Sequence, residues 1–195
     1  MERTGRGAHT GSRRGTKYFV RSLPAGSHSP LVKERIWVAG KEEIFLELLQ
    51  EVKDPEIPTV SMVEMGMIHQ VRVEDDVVSV DVLPTFAGCP ALDIMKKAIE
   101  KKLGAVEGVR EVRVKFLLEP AWSSDRISDE GREKLKKMGI MPPPRKDEQK
   151  ETWEVKCPYC GSSYTALENL FGSAACRSIL YCKNCKNPFE ALKMI

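Results

Sequence analysis

Two short repeats near the end of the chain, Cys157-Pro158-Tyr159-Cys160 and Cys182-Lys183-Asn184-Cys185, restrict its fold more than any other feature. Each repeat places two thiols on one tight turn. Together they supply four thiolates for one tetrahedral ion, each about 2.3 Å from the metal if it is zinc. Four protein ligands leave no open position for a substrate, so the pattern reads as a structural centre. The 21 residues from Gly161 to Tyr181 run slightly past the usual ribbon spacing and imply a longer excursion between the turns. Disulfide pairing is the alternative, and the metal-like spacing and the lack of a visible secretory signal argue against it.

Cys176 lies inside that excursion and breaks the four-ligand count. It reads either as a small buried hydrophobe or as an additional ligand. Five cysteines between positions 157 and 185 also suit an iron–sulfur cluster, and spacing alone does not choose between zinc and iron.

A chain of 195 residues with 42% apolar content holds one domain of ordinary size plus a small module. No apolar run approaches the roughly 18 residues of a membrane span, so a membrane partner is not expected and a reducing cytoplasm is the default location. Residues 1–35 carry eight Lys/Arg against two Glu, a local charge of +6, leaving 23 basic against 26 acidic residues in the remainder. That remainder, at −3, lacks the basic surface of a nucleic-acid binder. Residues 1–35 show no apolar period and read as a disordered basic extension.

From Lys41 the apolar residues Ile44, Phe45, Leu48, Leu49 and Val52 recur at helical spacing. Asp54-Pro55-Glu56-Ile57-Pro58 then forces a stiff turn, in which Asp54 and Glu56 are either turn residues or a carboxylate pair. Met67, His69, Val71 and Val73 predict one face of a strand, and Val78, Val80 and Val82 predict its hairpin partner. On this pattern His69 is a packed side chain rather than a catalyst. Leu92, Met95, Ala98, Ile99 and Leu103 recur at helical spacing up to Gly104, in a helix with Pro90 at its first position and Cys89 as its N-cap, where unpaired N–H groups lower a thiol pKa. Cys89 is therefore either a reactive or metal-binding thiol or a cysteine set by loop packing. Val112, Val114, Phe116 and Leu118 predict a third strand, and Ser128 is placed to cap a helix that Gly139 ends.

The fold class is α+β: a small αββαβ domain with a three-stranded sheet over 41–141, a proline-rich exposed linker over 142–152 and a four-cysteine ribbon-like module over 153–195. A ribbon that binds nucleic acid through Arg177, Lys183, Lys186 and Lys193 with Tyr164, Phe171 and Tyr181 is the weaker alternative. A stand-alone enzyme has no support, because the sequence offers no phosphate loop, paired acid and base, or open metal site. Monomer and homodimer are equally compatible with the sequence.

Asp54-Pro55-Glu56-Ile57-Pro58, Gly66-Met67-Ile68 and Gly88-Cys89-Pro90, in that order on an αββαβ frame, resemble the small domain of cytosolic iron–sulfur assembly factors. Pro84-Thr85, Pro120-Ala121-Trp122, Gly139-Ile140 and Phe171-Gly172-Ser173-Ala174-Ala175-Cys176 extend the resemblance to the PaaD family of phenylacetyl-CoA ring epoxidase components. The resemblance implies a non-catalytic accessory or maturation role beside the other oxygenase subunits, including the iron–sulfur reductase subunit, in aerobic phenylacetate catabolism. A structural subunit is the alternative. It also implies that Cys157, Cys160, Cys182 and Cys185 hold zinc or an iron–sulfur cluster, with Cys176 as a further participant. By the same resemblance, Cys89 is the iron–sulfur transfer thiol, with Asp54 and Glu56 near it.

Overall fold

A computed structural model describes residues 41–145 and 155–193, so the basic extension and most of the expected linker lie outside the described residues. All described residues fall in one compact unit. Helix α1 (Lys41–Leu49) buries Phe45 and Leu49, one turn apart on its apolar face. Strands β1 (Ile68–Glu74) and β2 (Val77–Val82) pair antiparallel through a tight turn in which Asp75 takes a φ of 52°. Helix α2 (Leu92–Gly104) then crosses over to β3 (Glu111–Phe116), which pairs parallel to β2. A parallel return needs such a crossover, and it leaves β2 in the middle of the three-stranded sheet. Val78, Val80 and Val82 of β2 are fully buried against Met95, Ile99 and Leu103 of α2, together with the buried residues of α1.

Two differences from the sequence pattern have local causes. His69 is exposed, because a bulge between Ile68 and Gln70 inserts one residue opposite β2 and shifts the alternation. Ile68 and Val71 therefore both face the core, and His69 is not the packed side chain that strict alternation implies. Leu118 lies beyond the end of β3 and is 63% exposed.

After a short 3-10 turn at Ser124–Arg126, α3 (Asp129–Lys137) starts at Ser128, whose hydroxyl accepts the Gly131 N–H at 3.0 Å. Gly139, at a φ of 77°, ends it in the left-handed conformation that costs glycine little. The chain then forms β4 (Ile140–Met141). Pro142 and Pro143 are buried, and the Pro143 carbonyl accepts from Arg132 at 2.6 Å, so the exposure expected from position 142 is not found there.

The ribbon contributes β5 (Thr165–Asn169), β6 (Arg177–Cys182) and β7 (Pro188–Leu192). Its sheet has the order β4-β7-β6-β5, with β4 parallel to β7. Val155, Leu180, Phe189 and Ala191 form a second small core with Cys157 and Cys182. Leu192 and the half-buried Cys176 pack instead against the first core, which joins the two parts.

Candidate metal centre and a thiol seam

The two Cys-x-x-Cys turns fold alike. The N–H of Gly161 returns to the Cys157 carbonyl at 2.9 Å, and that of Lys186 returns to the Cys182 carbonyl at 2.9 Å. Both returning residues are left-handed, with φ of 71° and 63°. Each leading cysteine donates its own N–H five residues on, Cys157 to Ser162 and Cys182 to Asn187, both at 2.9 Å. Closing both turns in this way aims two sulfurs from each at a common point. Cys157 Sγ lies 3.6 Å from Cys185 Sγ, and Cys160 Sγ lies 3.6 Å from Cys182 Sγ. All four sulfurs lie within 4.8 Å of one another.

A tetrahedron with metal–sulfur bonds of about 2.3 Å has edges of about 3.8 Å, so the donor set fits a single ion. A cluster separates thiolates held on different irons more widely than this. Electrostatics divide the four sulfurs. Burial pushes Cys157 up to about 11. The Ser162 N–H and the Asn184 amide bring the exposed Cys160 down to about 6. The Asn187 amide, whose Nδ2 is 3.5 Å from Cys185 Sγ, lowers Cys185.

Cys176 is not among these four. It lies one residue before β6, and the backbone N–H of Lys193 holds its carbonyl at 2.9 Å. Burial, followed by the charge of Glu56, pushes its thiol up to about 11. Asp54 and Cys89 raise it further and Arg177 opposes them, and the residue packs against the core of the α+β domain.

Cys89 is half-buried in the loop before α2. Its N–H donates to the Phe86 carbonyl at 3.1 Å, and the tight turn through Cys89 to Ala91 delays the helix. The N-cap of α2 is Ala91, not Cys89. Without the capping position, burial dominates and raises the thiol, helped by Glu56 and Asp54 and opposed by the Ala91 N–H. The low-pKa thiol that a helix N-terminus would create is not formed.

Asp54 is buried, and its Oδ1 accepts the N–H groups of Glu56 at 2.8 Å and Ile57 at 3.0 Å, which closes the proline turn. Burial nevertheless raises its carboxyl. None of Asp54, Glu56, Cys89 and Cys176 belongs to the four-sulfur group, and the charges of Glu56 and Asp54 oppose ionisation of both Cys89 and Cys176.

Arg177 and Lys193 hold the seam between domain and ribbon, and no spacing rule points to either. Arg177 Nη2 donates to the Glu56 carbonyl at 2.8 Å, and its Nη1 bonds Glu190 Oε2 at 2.9 Å and Ser173 Oγ at 3.1 Å. Lys193 Nζ donates to the Ala175 carbonyl at 2.7 Å and sits 4.3 Å from the centroid of the Phe171 ring and 5.7 Å from that of Phe86. These contacts remove both cations from the basic and aromatic face that a nucleic-acid ribbon would need. Among the described residues no helix is long and apolar enough to cross a membrane.

Comparison with known proteins agrees with this division. Residues 41–116 match the family described as iron–sulfur cluster assembly protein, and residues 141–193 match the PaaD zinc beta ribbon domain. An Escherichia coli K12 protein described as the putative D-type subunit of 1,2-phenylacetyl-CoA epoxidase is 35% identical over 149 residues, 76% of this chain and 90% of its own length. A Porphyromonas gingivalis W83 protein named as an Fe-S protein maturation auxiliary factor is 37% identical over 90 residues, 46% of this chain and 85% of its own. The crystal structure of a domain of unknown function from Bacillus anthracis is 28% identical, covering 49% of this chain and 94% of that one at a TM-score of 0.45.

Proposed function

We propose that this chain, which belongs to the PaaD family of 1,2-phenylacetyl-CoA epoxidase components, is a non-catalytic accessory protein that delivers iron or an iron–sulfur unit to partner subunits of an oxygenase. Its match to iron–sulfur assembly proteins and its likeness to a maturation auxiliary factor support an accessory role. The finer assignment rests on one observation: the four ribbon sulfurs form a closed set for a single ion, whereas Cys89 sits outside that set on the assembly-factor half. A closed four-thiolate site does not release its ion readily and suits a structural zinc. A half-buried thiol beside two carboxylates suits transient loading.

In this reading Cys157, Cys160, Cys182 and Cys185 hold zinc and keep the ribbon folded. Cys89 binds the cargo. Its thiol gives its proton to solvent as iron binds, and regains one when a partner's thiolates take the iron. The partners are the other subunits of the oxygenase, among them one that carries an iron–sulfur cluster, and the setting is aerobic phenylacetate breakdown in the cytoplasm.

The test is co-expression of the Cys89→Ser chain with its oxygenase partners, followed by iron and acid-labile sulfide analysis of the partners. The expected result is a loss of partner iron or sulfide with ribbon zinc unchanged. Partner iron and sulfide at wild-type levels would reject the transfer role. A second reading, a purely structural subunit, draws on Tyr159, Tyr164, Leu170 and Phe171, which are 57–64% exposed on the ribbon and are suited to an apolar interface. Fixed stoichiometric co-purification with undiminished partner iron in the Cys89→Ser chain would favour it.

A further inference from the structure

We infer that Asn184 and Asn187 are positioning residues of the ribbon's metal site, each giving a side-chain N–H to the sulfur of one of its two least buried cysteines and so guarding the ion against electrophiles that attack there. This rests on the reading of the four ribbon sulfurs as a zinc site and adds the residues that decide how firmly the zinc is kept.

The four cysteines are unequal in their surroundings. Cys157 and Cys182 are buried, Cys185 is half-buried and Cys160 is exposed. Asn184 stands inside the second Cys-x-x-Cys turn, yet its Nδ2 reaches across 24 residues of sequence to Cys160 Sγ of the first turn, at 3.6 Å. Asn187 follows that second turn, and its Nδ2 lies 3.5 Å from Cys185 Sγ and 3.1 Å from the Cys185 carbonyl. The Asn187 backbone carbonyl accepts the Cys182 N–H at 2.9 Å, which fixes where its side chain starts. The buried Cys182 Sγ has a backbone donor, the Cys185 N–H at 3.5 Å. Side-chain amides thus serve the two cysteines nearest to solvent, and both amides belong to exposed residues.

An asparagine amide donates only through its nitrogen, and a metal-bound thiolate only accepts. A loaded site therefore holds Nδ2 toward the sulfur and repels Oδ1. Four thiolates around one Zn²⁺ leave an excess of negative charge, and N–H donors offset it. Each such bond draws electron density from the sulfur lone pairs, as partners outside the ligand set do when they tune a metal site. The sulfur becomes a weaker nucleophile while its bond to the metal is kept in place. Asn184 adds a mechanical effect, because its amide on one turn ties down a ligand on the other.

Zinc is first counted in the purified full chain. The loaded protein then meets excess N-ethylmaleimide, in which a sulfur bonds to one ring carbon while the neighbouring carbon takes a proton from water, and freed zinc is followed with a chromogenic chelator. Asn184→Ala and Asn187→Ala should each release zinc about tenfold faster than wild type, the lower end of what a lost outer partner costs a metal site. Asn184→Asp keeps the size without the donor and should be no slower than Asn184→Ala. Peptide mass analysis after brief labelling reads position: Asn184→Ala should raise the share of early label on Cys160, and Asn187→Ala that on Cys185. Faster release with label spread evenly over all four cysteines means a merely loosened ribbon and overturns the inference. With cobalt(II) in place of zinc, each variant should move the thiolate-to-cobalt charge-transfer band to longer wavelength, because a sulfur that has lost its hydrogen bond gives up an electron more easily. A variant whose release rate and band stay at wild-type values overturns the role of that asparagine and leaves the zinc site standing. A wild-type chain that holds no zinc, or iron and sulfide in its place, overturns the zinc reading and this inference with it.

Discussion

Arg177 at the start of β6 reaches across 121 residues of sequence to the backbone carbonyl of Glu56 and, from the same guanidinium, bonds Glu190 on β7. This planar group ties the ribbon to the domain beside Lys193 and the packing of Leu192 and Cys176 on the first core. Arg177→Met should remove all three partnerships and strand Glu190, at a cost of about 3 kcal/mol or more in urea unfolding. Arg177→Lys should recover little, because a point charge cannot reproduce the fork.

Gly66 should tolerate no side chain. It sits at a φ of 65°, and a Cβ there would collide with the Arg126 backbone carbonyl, where the Arg126 guanidinium also grips the Gly66 carbonyl at 2.7 Å. Gly66→Ala combines backbone strain with overpacking and should cost about 2–5 kcal/mol, read as a lowered urea midpoint.

Metal removal should act on one half of the protein first. The ribbon core is small, built on Val155, Leu180, Phe189 and Ala191 with Cys157 and Cys182, and only Met141 and Cys185 are packed against it besides. A strong chelator should speed hydrogen exchange at the Leu180 and Phe189 amides while Val80 and Leu103 keep their protection.

Acid should loosen the same joint. Burial raises Glu190, but bonds from the Ser173 N–H, the Ser173 hydroxyl and Arg177 outweigh it and leave the carboxyl below its ordinary value of 4.5. A depressed folded value means that its contribution is present above the unfolded value and lost as pH falls through the folded one. Glu190→Gln should therefore flatten the stability loss below pH 4.5 in acid titrations of the unfolding midpoint.

Asp54 should show the opposite sign. Burial raises its carboxyl above 3.8, so its contribution is full below that pH and is lost as pH rises through the folded value. Asp54→Asn keeps an acceptor for the Glu56 and Ile57 N–H groups without the charge, and should match or exceed wild-type stability at neutral pH. Asp54→Ala leaves those donors unpaired and should cost about 1–3 kcal/mol.

The parts of this fold that depend on period and local capping were legible in the sequence. Val78, Val80 and Val82 declared the central strand, Ser128 and Gly139 bounded α3, and two Cys-x-x-Cys turns identified the ribbon. The bulge was not legible, because His69 satisfies strict alternation until the pairing register with β2 is known. The start of α2 was misplaced because Pro90 is acceptable both at a first helical position and in the turn that precedes Ala91. The seam was hidden for a deeper reason. Arg177, Lys193 and Cys176 act through residues far away in sequence, and nothing in their own neighbourhoods distinguishes a clamp from a surface charge, or a spare thiol from a ligand.

The parallel pairing of Ile140–Met141 with Glu190–Ala191 matters for anyone wishing to transplant the ribbon. A graft cut between residues 142 and 156 would carry all four ribbon cysteines yet arrive with the β7 flank bare, a sticky edge at which copies stitch together. A usable cassette begins at Gly139, whose left-handed bend is the natural seam for the scissors.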